Sequence, residues 1–274
     1  MQASSRWSPP AGTLGRIVGE ARARAAALEA DRTALTARAH TTPVGPSLER
    51  AIATARDVSV LAEVKRRSPS KGVIAAELGA VDQARAYAAG GAVGASILTE
   101  PVHFGGSNED LTAVRAATRL PLLKKDFHVH PFQLVEARAL GASAALLIVR
   151  ALSPDALIEM MDTGRALGLE LLVEVRDERE LERAIEAGAT MIGVNNRDLE
   201  TLVIDPTTAE RVIPLVPASL LAIAESGVHG RDDVERYATI GADAVLVGSS
   251  LSAAGDPTAA TRALTGVPRR TRGH

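Results

Sequence analysis

Cysteine is absent from the 274 residues. The chain therefore has no disulfide framework, no thiolate metal site and no cysteine nucleophile. Aromatics are scarce: one Trp, two Tyr and three Phe. A core must be built from Ala, Val, Leu and Ile, which argues against aromatic-rich all-β designs and base-stacking nucleic-acid platforms. No apolar run reaches the ~18 residues that read as a membrane span. Met1 to Gly12 lacks the charged start and apolar stretch of a signal peptide, and Glu20, Glu29 and Asp31 argue against a transit peptide in the Arg- and Ala-rich stretch Leu14 to Arg38. Charge of one sign is not in excess either. With 31 basic and 33 acidic residues the formal charge is −2, so no global field draws the chain to nucleic acid or an anionic membrane. The six His are scattered, and His103, His128 and His130 lie in loops without a matching carboxylate, so no metal site is expected. These absences point to a cytoplasmic protein, monomeric or weakly self-associating, with no nucleic-acid or membrane partner.

What is present is a strict alternation from residue 57 onward. Short apolar runs occupy 59–65, 93–99, 121–125, 144–149, 169–174, 191–195, 220–225 and 244–248. They recur every ~26 residues, the size of one strand-helix unit with short loops. The intervening helical segments end in a repeated phrase, with glycine at 91, 141, 168, 188 and 241 followed almost at once by the next apolar run. Glycine there supplies the left-handed turn that stops a helix. Eight such units predict a (β/α)8 barrel. A doubly wound sheet would need a Gly-rich turn after its first strand, where this chain has Arg66-Arg67-Ser68-Pro69-Ser70-Lys71-Gly72. Residues 1–56 form an N-terminal extension, with one helix over Leu14 to Arg38 and a shorter one over Ser47 to Arg56. Residues 57–267 form the barrel, and 268–274 are expected to be a disordered basic tail.

Catalytic groups of such barrels sit at the C-terminal strand ends. Here those ends carry Glu63 and Lys65, Lys124 to Asp126, Glu174, Asn195 to Arg197, Glu225 and Ser226, and Gly248 to Ser250. Alternation along a strand puts Glu63 and Lys65 on one face. One charge at a strand end can simply begin a loop. Glu63, Glu174 and Glu225 converging on Lys65 and Lys125 would be costly unless they pair or bind a ligand, and such pairs suit acid-base work. The small residues of Glu225-Ser-Gly-Val228 and Val247-Gly-Ser-Ser-Leu251 make turns. Their place after the seventh and eighth strands also suits backbone N–H groups approaching a phosphate.

Several of these stretches resemble indole-3-glycerol phosphate synthases. They are Ala62-Glu-Val-Lys-Arg-Arg-Ser-Pro-Ser-Lys-Gly72, Leu98-Thr-Glu-Pro101 with Phe104-Gly-Gly-Ser107, Lys125-Asp-Phe127, Leu172-Val-Glu-Val175, Ile192-Gly-Val-Asn-Asn-Arg-Asp-Leu199, Ala224-Glu-Ser-Gly227 and Val247-Gly-Ser-Ser-Leu251. The resemblance covers roughly residues 57–265. It implies closure of the indole pyrrole ring: a phosphosugar-anthranilate substrate, 1-(2-carboxyphenylamino)-1-deoxyribulose 5-phosphate, loses CO₂ and water without a cofactor. By the same resemblance Lys125 is the general acid, and Glu174 and Glu63 share the later proton transfers. Lys65 pairs with anionic substrate groups, the phosphate included, while Asn195 and Glu225 orient substrate and acid-base groups. Ser68, Arg197 and Ser226 help to bind substrate, and Gly227, Gly248 and Ser249 match the phosphate cradle. Phe104, Phe127 and Phe132 follow the second and third strands, near Lys125 in sequence, whereas Trp7, Tyr87 and Tyr237 are expected away from the mouth. Phe104 and Phe127 are the first candidates to hold an aryl ring. The family commonly has Arg where this chain has Lys124, and a Tyr where it has Phe132. Two other readings keep the barrel: an aldolase or isomerase with Lys125 as Schiff base, and a non-catalytic phosphate-binding scaffold.

Overall fold

In the computed structural model, which describes residues 7–75, 77 and 79–272, all eight apolar runs are strands. They are β1 (Ser59–Val64), β2 (Gly94–Leu98), β3 (Leu122–Lys125), β4 (Ala144–Ile148), β5 (Glu170–Val175), β6 (Met191–Asn195), β7 (Leu221–Glu225) and β8 (Ala244–Val247). Each pairs in parallel with its neighbours, and β1 closes on β8 to complete a (β/α)8 barrel. The strands are buried almost throughout because helices cover them outside and side chains fill them inside. The five recurrent glycines all take positive φ, between 62° and 98°. Ser153 caps the helix Pro154–Ala166 through the N–H of Ala156. A short antiparallel hairpin, Arg67–Ser68 with Gly72–Val73, stands in the loop after β1 and was not expected.

The N-terminal extension wraps the barrel end to end. The single helix expected over Leu14 to Arg38 is broken by a tight turn at Leu28–Asp31 into α1 (Gly12–Ala27) and α2 (Arg32–Thr41). The break lets α1 cross the barrel mouth while α2 runs down the flank. There Arg32 stacks on Phe132, and Arg138 donates to the carbonyls of Thr42 and Pro43. A third helix, α3 (Leu48–Ala53), plugs the opposite end. Leu48 lies against Gly94 at the start of β2, and Glu170 accepts the backbone N–H groups of Leu48 and Glu49. One apolar cluster therefore runs through the barrel axis from Leu14, Ile17 and Val18 at the top, through Leu61, Leu146, Leu172 and Met191, to Leu48 and Ile52 at the bottom. A second fills the shell between strands and helices.

The expectation of a loose basic tail is corrected through Arg272. Arg269 and Arg272 both pair with buried Asp243, and Arg269 also donates to the carbonyls of Ile52 and Ala55. Their guanidiniums found a buried carboxylate 26 and 29 residues upstream, which composition alone does not reveal. Gly273 and His274 lie outside the described residues.

Candidate active site

Alternation along the strands sorts the polar ends into two sets. Lys125 points into the mouth. Lys124 points outward and is buried against Asp126 at 3.2 Å and Glu136 at 3.3 Å. Asn195 likewise points in, donating to Glu174 at 2.9 Å. Asn196 points out, where its amide donates to the carbonyl of Ser226 and the hydroxyl of Tyr237 and accepts from the N–H of Ala209. Lys124 and Asn196 thus brace the wall, and Lys125 and Asn195 face the ligand space.

That space is a cavity of about 1070 Å³, its open mouth included. It collects the candidate catalytic, substrate-binding and phosphate-binding residues of the sequence: Glu63, Lys65, Ser68, Phe104, Lys125, Phe127, Glu174, Asn195, Arg197, Glu225, Ser226, Gly227, Gly248 and Ser249. Thr13 and Ile17 of α1 complete the roof, and Lys71 stands at the hairpin tip. Nothing in the sequence of α1 distinguishes these two from ordinary helix-face residues, so they were missed.

Three carboxylates face two ammoniums. Lys65 Nζ is 3.1 Å from Glu63, and Lys125 Nζ is 3.2 Å from both Glu174 and Glu225. Burial disfavours the Lys125 charge, but Glu225, Glu174 and Glu63 outweigh it and hold the ammonium well above its usual range. Burial pushes the Glu225 carboxyl up to about 8, Lys125 pulling against it and Glu174 and Glu63 adding to it. Its Oε1 is buried without a hydrogen-bond partner, which adds to the cost of the charged form. Two glycines make room for this crowding. A Cβ at Gly193 would lie 2.1 Å from Glu225 Oε1, and one at Gly248 would lie 2.5 Å from Glu63 Oε1. Glycine inside a strand often marks such a close approach, and that is the signal by which Gly193 could have been found.

The phosphate-type loops lie at one side of the cavity. Ser226 has φ 65° and Gly227 φ 82°, successive left-handed residues in a tight turn beside the cavity. The Ser250 hydroxyl donates to the carbonyl of Val228 at 3.0 Å, tying the two loops together. On the other side Phe104 and Phe127 form an apolar wall with ring centroids 6.1 Å apart, and Lys65 Nζ lies 5.6 Å from the Phe104 centroid.

Four expectations about particular residues need correction. Phe132 does not join the aromatic wall, because its helix turns it outward beneath Arg32. Tyr237 is close to the mouth: its hydroxyl holds Asn196 beneath the Ser226 loop. Trp7 donates to the carbonyl of Arg150, just beyond β4 on the mouth side. His103 does have a carboxylate partner, Glu20 at 2.7 Å, supplied by α1 from far away in sequence. Glu20, Glu100 and His103 lie close enough to share an ion. However, the Glu100 oxygens are already occupied by three backbone N–H groups and Arg24.

The family model for indole-3-glycerol phosphate synthase matches residues 14–264. The indole-3-glycerol phosphate synthase of a Nocardioides species is 55% identical over 209 residues, covering 76% of this chain and 80% of that one. That of Mycobacterium avium is 48% identical over 253 residues, covering 92% and 93%. Among solved structures, 3-hexulose-6-phosphate synthase from Salmonella typhimurium superposes with a TM-score of 0.60 at 16% identity, over 76% of this chain and 96% of that one. Thiamine phosphate pyrophosphorylase from Pyrococcus furiosus gives 0.57 at 18%, over 76% and 94%. These two share the fold alone. From the family match and the relatives that span nearly its whole length, the chain belongs to the indole-3-glycerol phosphate synthase family.

Proposed function

We propose that this cavity closes the pyrrole ring of indole-3-glycerol phosphate from 1-(2-carboxyphenylamino)-1-deoxyribulose 5-phosphate, with the residue roles that follow. The observation that carries the reading is Lys125 held at 3.2 Å between Glu174 and Glu225, with Asn195 fixing Glu174. The substrate phosphate rests on the N–H groups of the Ser226–Gly227 and Gly248–Ser249 loops. The aryl ring lies against Phe104 and Phe127, and its carboxylate reaches Lys65. Ser68 and Arg197 complete the contacts to the sugar.

Ring closure develops negative charge on the ketone oxygen as the aryl carbon attacks. A fixed cation there stabilises the charge and then supplies a proton. Lys125 retains its proton strongly in the resting site, yet an alkoxide is basic enough to take it. Once the ring has closed, the carboxylate departs as CO₂ and its electrons pass into the adjacent iminium. Loss of water then requires an acid at the leaving hydroxyl and a base for the ring proton, the work of Glu174 and Glu63. Glu225 keeps Lys125 in place. A Schiff-base role would require Lys125 to lose the proton that its carboxylates hold on it.

The test is direct. Purified chain plus the carboxyphenylamino-deoxyribulose phosphate is expected to give rising indole fluorescence, and borohydride added during turnover is expected to trap no lysine. Absence of fluorescence overturns the reading, and a covalent adduct on Lys125 replaces it with the aldolase type. The reading includes a cytoplasmic enzyme that is monomeric or weakly self-associating, which sedimentation of the pure chain would check.

A further inference from the structure

We propose that Arg24, on α1 of the N-terminal extension, is a positioning residue that sets the aromatic wall from outside the cavity. The proposal rests on the reading that Phe104 and Phe127 hold the aryl ring. Arg24 does not line the cavity. Its guanidinium is a fork between two buried carboxylates, Glu100 at 3.4 Å and Asp126 at 2.9 Å. Each carboxylate in turn holds one of the two phenylalanines by its backbone.

Glu100 is fully buried just beyond β2 and accepts the N–H groups of Val102, His103 and Phe104 at 3.1, 2.6 and 3.0 Å. It therefore shapes the turn that presents Phe104. Asp126 follows Lys125 directly and accepts the N–H of Phe127 at 2.8 Å and the hydroxyl of Thr99 at 2.7 Å. Burial alone would raise the Asp126 carboxyl. Lys124, then His128 and Arg24, with the Thr99 hydroxyl, overcome that and keep it ionised far below its ordinary range.

The two carboxylates differ in how much they depend on Arg24. Asp126 also has Lys124. Among the described residues Arg24 is the one cation in an ion pair with Glu100. Without it a buried carboxylate keeps its amide donors but loses its counter-charge, and the turn is driven to open toward water. A second clip from α1, Glu20 on His103, lands on the same turn. The extension thus reaches the substrate twice, by lending Thr13 and Ile17 to the roof and by fixing the wall through Arg24. Lysine cannot substitute fully, since a point charge does not span two carboxylates as a planar fork does.

The experiment is steady-state kinetics by indole fluorescence on Arg24→Met and Arg24→Lys, each in the native chain and in Phe104→Leu, with melting curves for all. Arg24→Met is expected to raise KM ~10-fold with kcat within about threefold, and Arg24→Lys to fall between, keeping the fold if Arg24→Met does not. In the Phe104→Leu background the Arg24→Met effect is expected to shrink below about threefold, because the wall it sets is already gone. An unchanged KM in both Arg24 variants, or effects that multiply fully with Phe104→Leu, overturns the proposal. If Phe104→Leu and Phe127→Leu alone leave KM unchanged, the ring-site reading falls and the proposal with it. If they raise KM and the Arg24 variants do not, the role of Arg24 alone is refuted.

Discussion

The two ends of this barrel each bury a cluster of ions, and they are built on opposite plans. At the N-terminal end one carboxylate, Asp243, meets two guanidiniums and also accepts the N–H of Ala222 at 2.8 Å. Arg272 spends its remaining donors on the carbonyls of Val216, Leu220 and Gly241, and Arg269 on those of Ile52 and Ala55. No buried polar atom of these three side chains is left without a partner. At the C-terminal end three carboxylates crowd two ammoniums around a cavity, and one carboxyl oxygen has no partner. Burial and pairing are common to both. A buried oxygen without a partner beside an open cavity belongs to one, and on the proposed reading that is the end where chemistry takes place. The fully hydrogen-bonded cluster acts as a clasp that joins the C-terminal segment, α3 and the start of β8.

The strongest way to break this contrast is to remove one charge from each end. Lys125→Met is expected to lower kcat/KM by ~10³-fold or more, the contribution of an acid that also stabilises an oxyanion. The melting temperature should change little, because burial already pushes Glu225 toward its protonated form. Fluorescence kinetics with a melting curve checks both. Activity within tenfold of the parent would mean that the ion cluster at the mouth has no catalytic meaning.

Asp243→Asn is the counterpart. It leaves two guanidiniums buried without their counter-charge, at a cost of about 3–5 kcal/mol, which lowers the melting temperature by roughly 10 °C in a domain of this size. At 25 °C kcat and KM should stay as they were. Calorimetry alongside kinetics would expose the opposite result, a loss of kcat without a loss of stability, and the two ends could then no longer be told apart by function.

How far each end could be read from sequence follows from where its information lies. The mouth was legible because strand alternation and the helix-glycine-strand phrase place Glu63, Lys65, Lys125, Glu174, Asn195 and Glu225 locally, one strand at a time. The clasp was not legible. Asp243 looks like any residue before a strand and Arg269 like any basic tail residue, and only the closed topology brings them together. The same holds for α1. The turn at Leu28–Asp31 carries no helix breaker, so the break that sends α2 down the flank comes from tertiary contacts such as Arg32 on Phe132. Phe132 was misplaced for a related reason: nearness to Lys125 in sequence says nothing about which way a helix turns it.

The smallest expected effect distinguishes the ends by pH. Glu225 rises from 4.5 to about 8 on folding because burial and its carboxylate neighbours disfavour the charge. The native state therefore keeps a proton that the unfolded chain releases. The resulting stabilisation is complete below the unfolded value of 4.5 and is lost as pH rises through about 8. Glutamine cannot titrate. Glu225→Gln should therefore flatten the decline across that window, and above pH 8 the variant should melt roughly 2–4 °C higher than the parent, the shift that about 1 kcal/mol produces at this size. Asp243 is paired with two guanidiniums, so Asp243→Asn lowers the melting temperature across the same range. Melting curves from pH 5 to 9 decide the matter. If the Glu225→Gln and parent curves run parallel, burial of Glu225 carries no such penalty and the mouth is no more strained than the clasp.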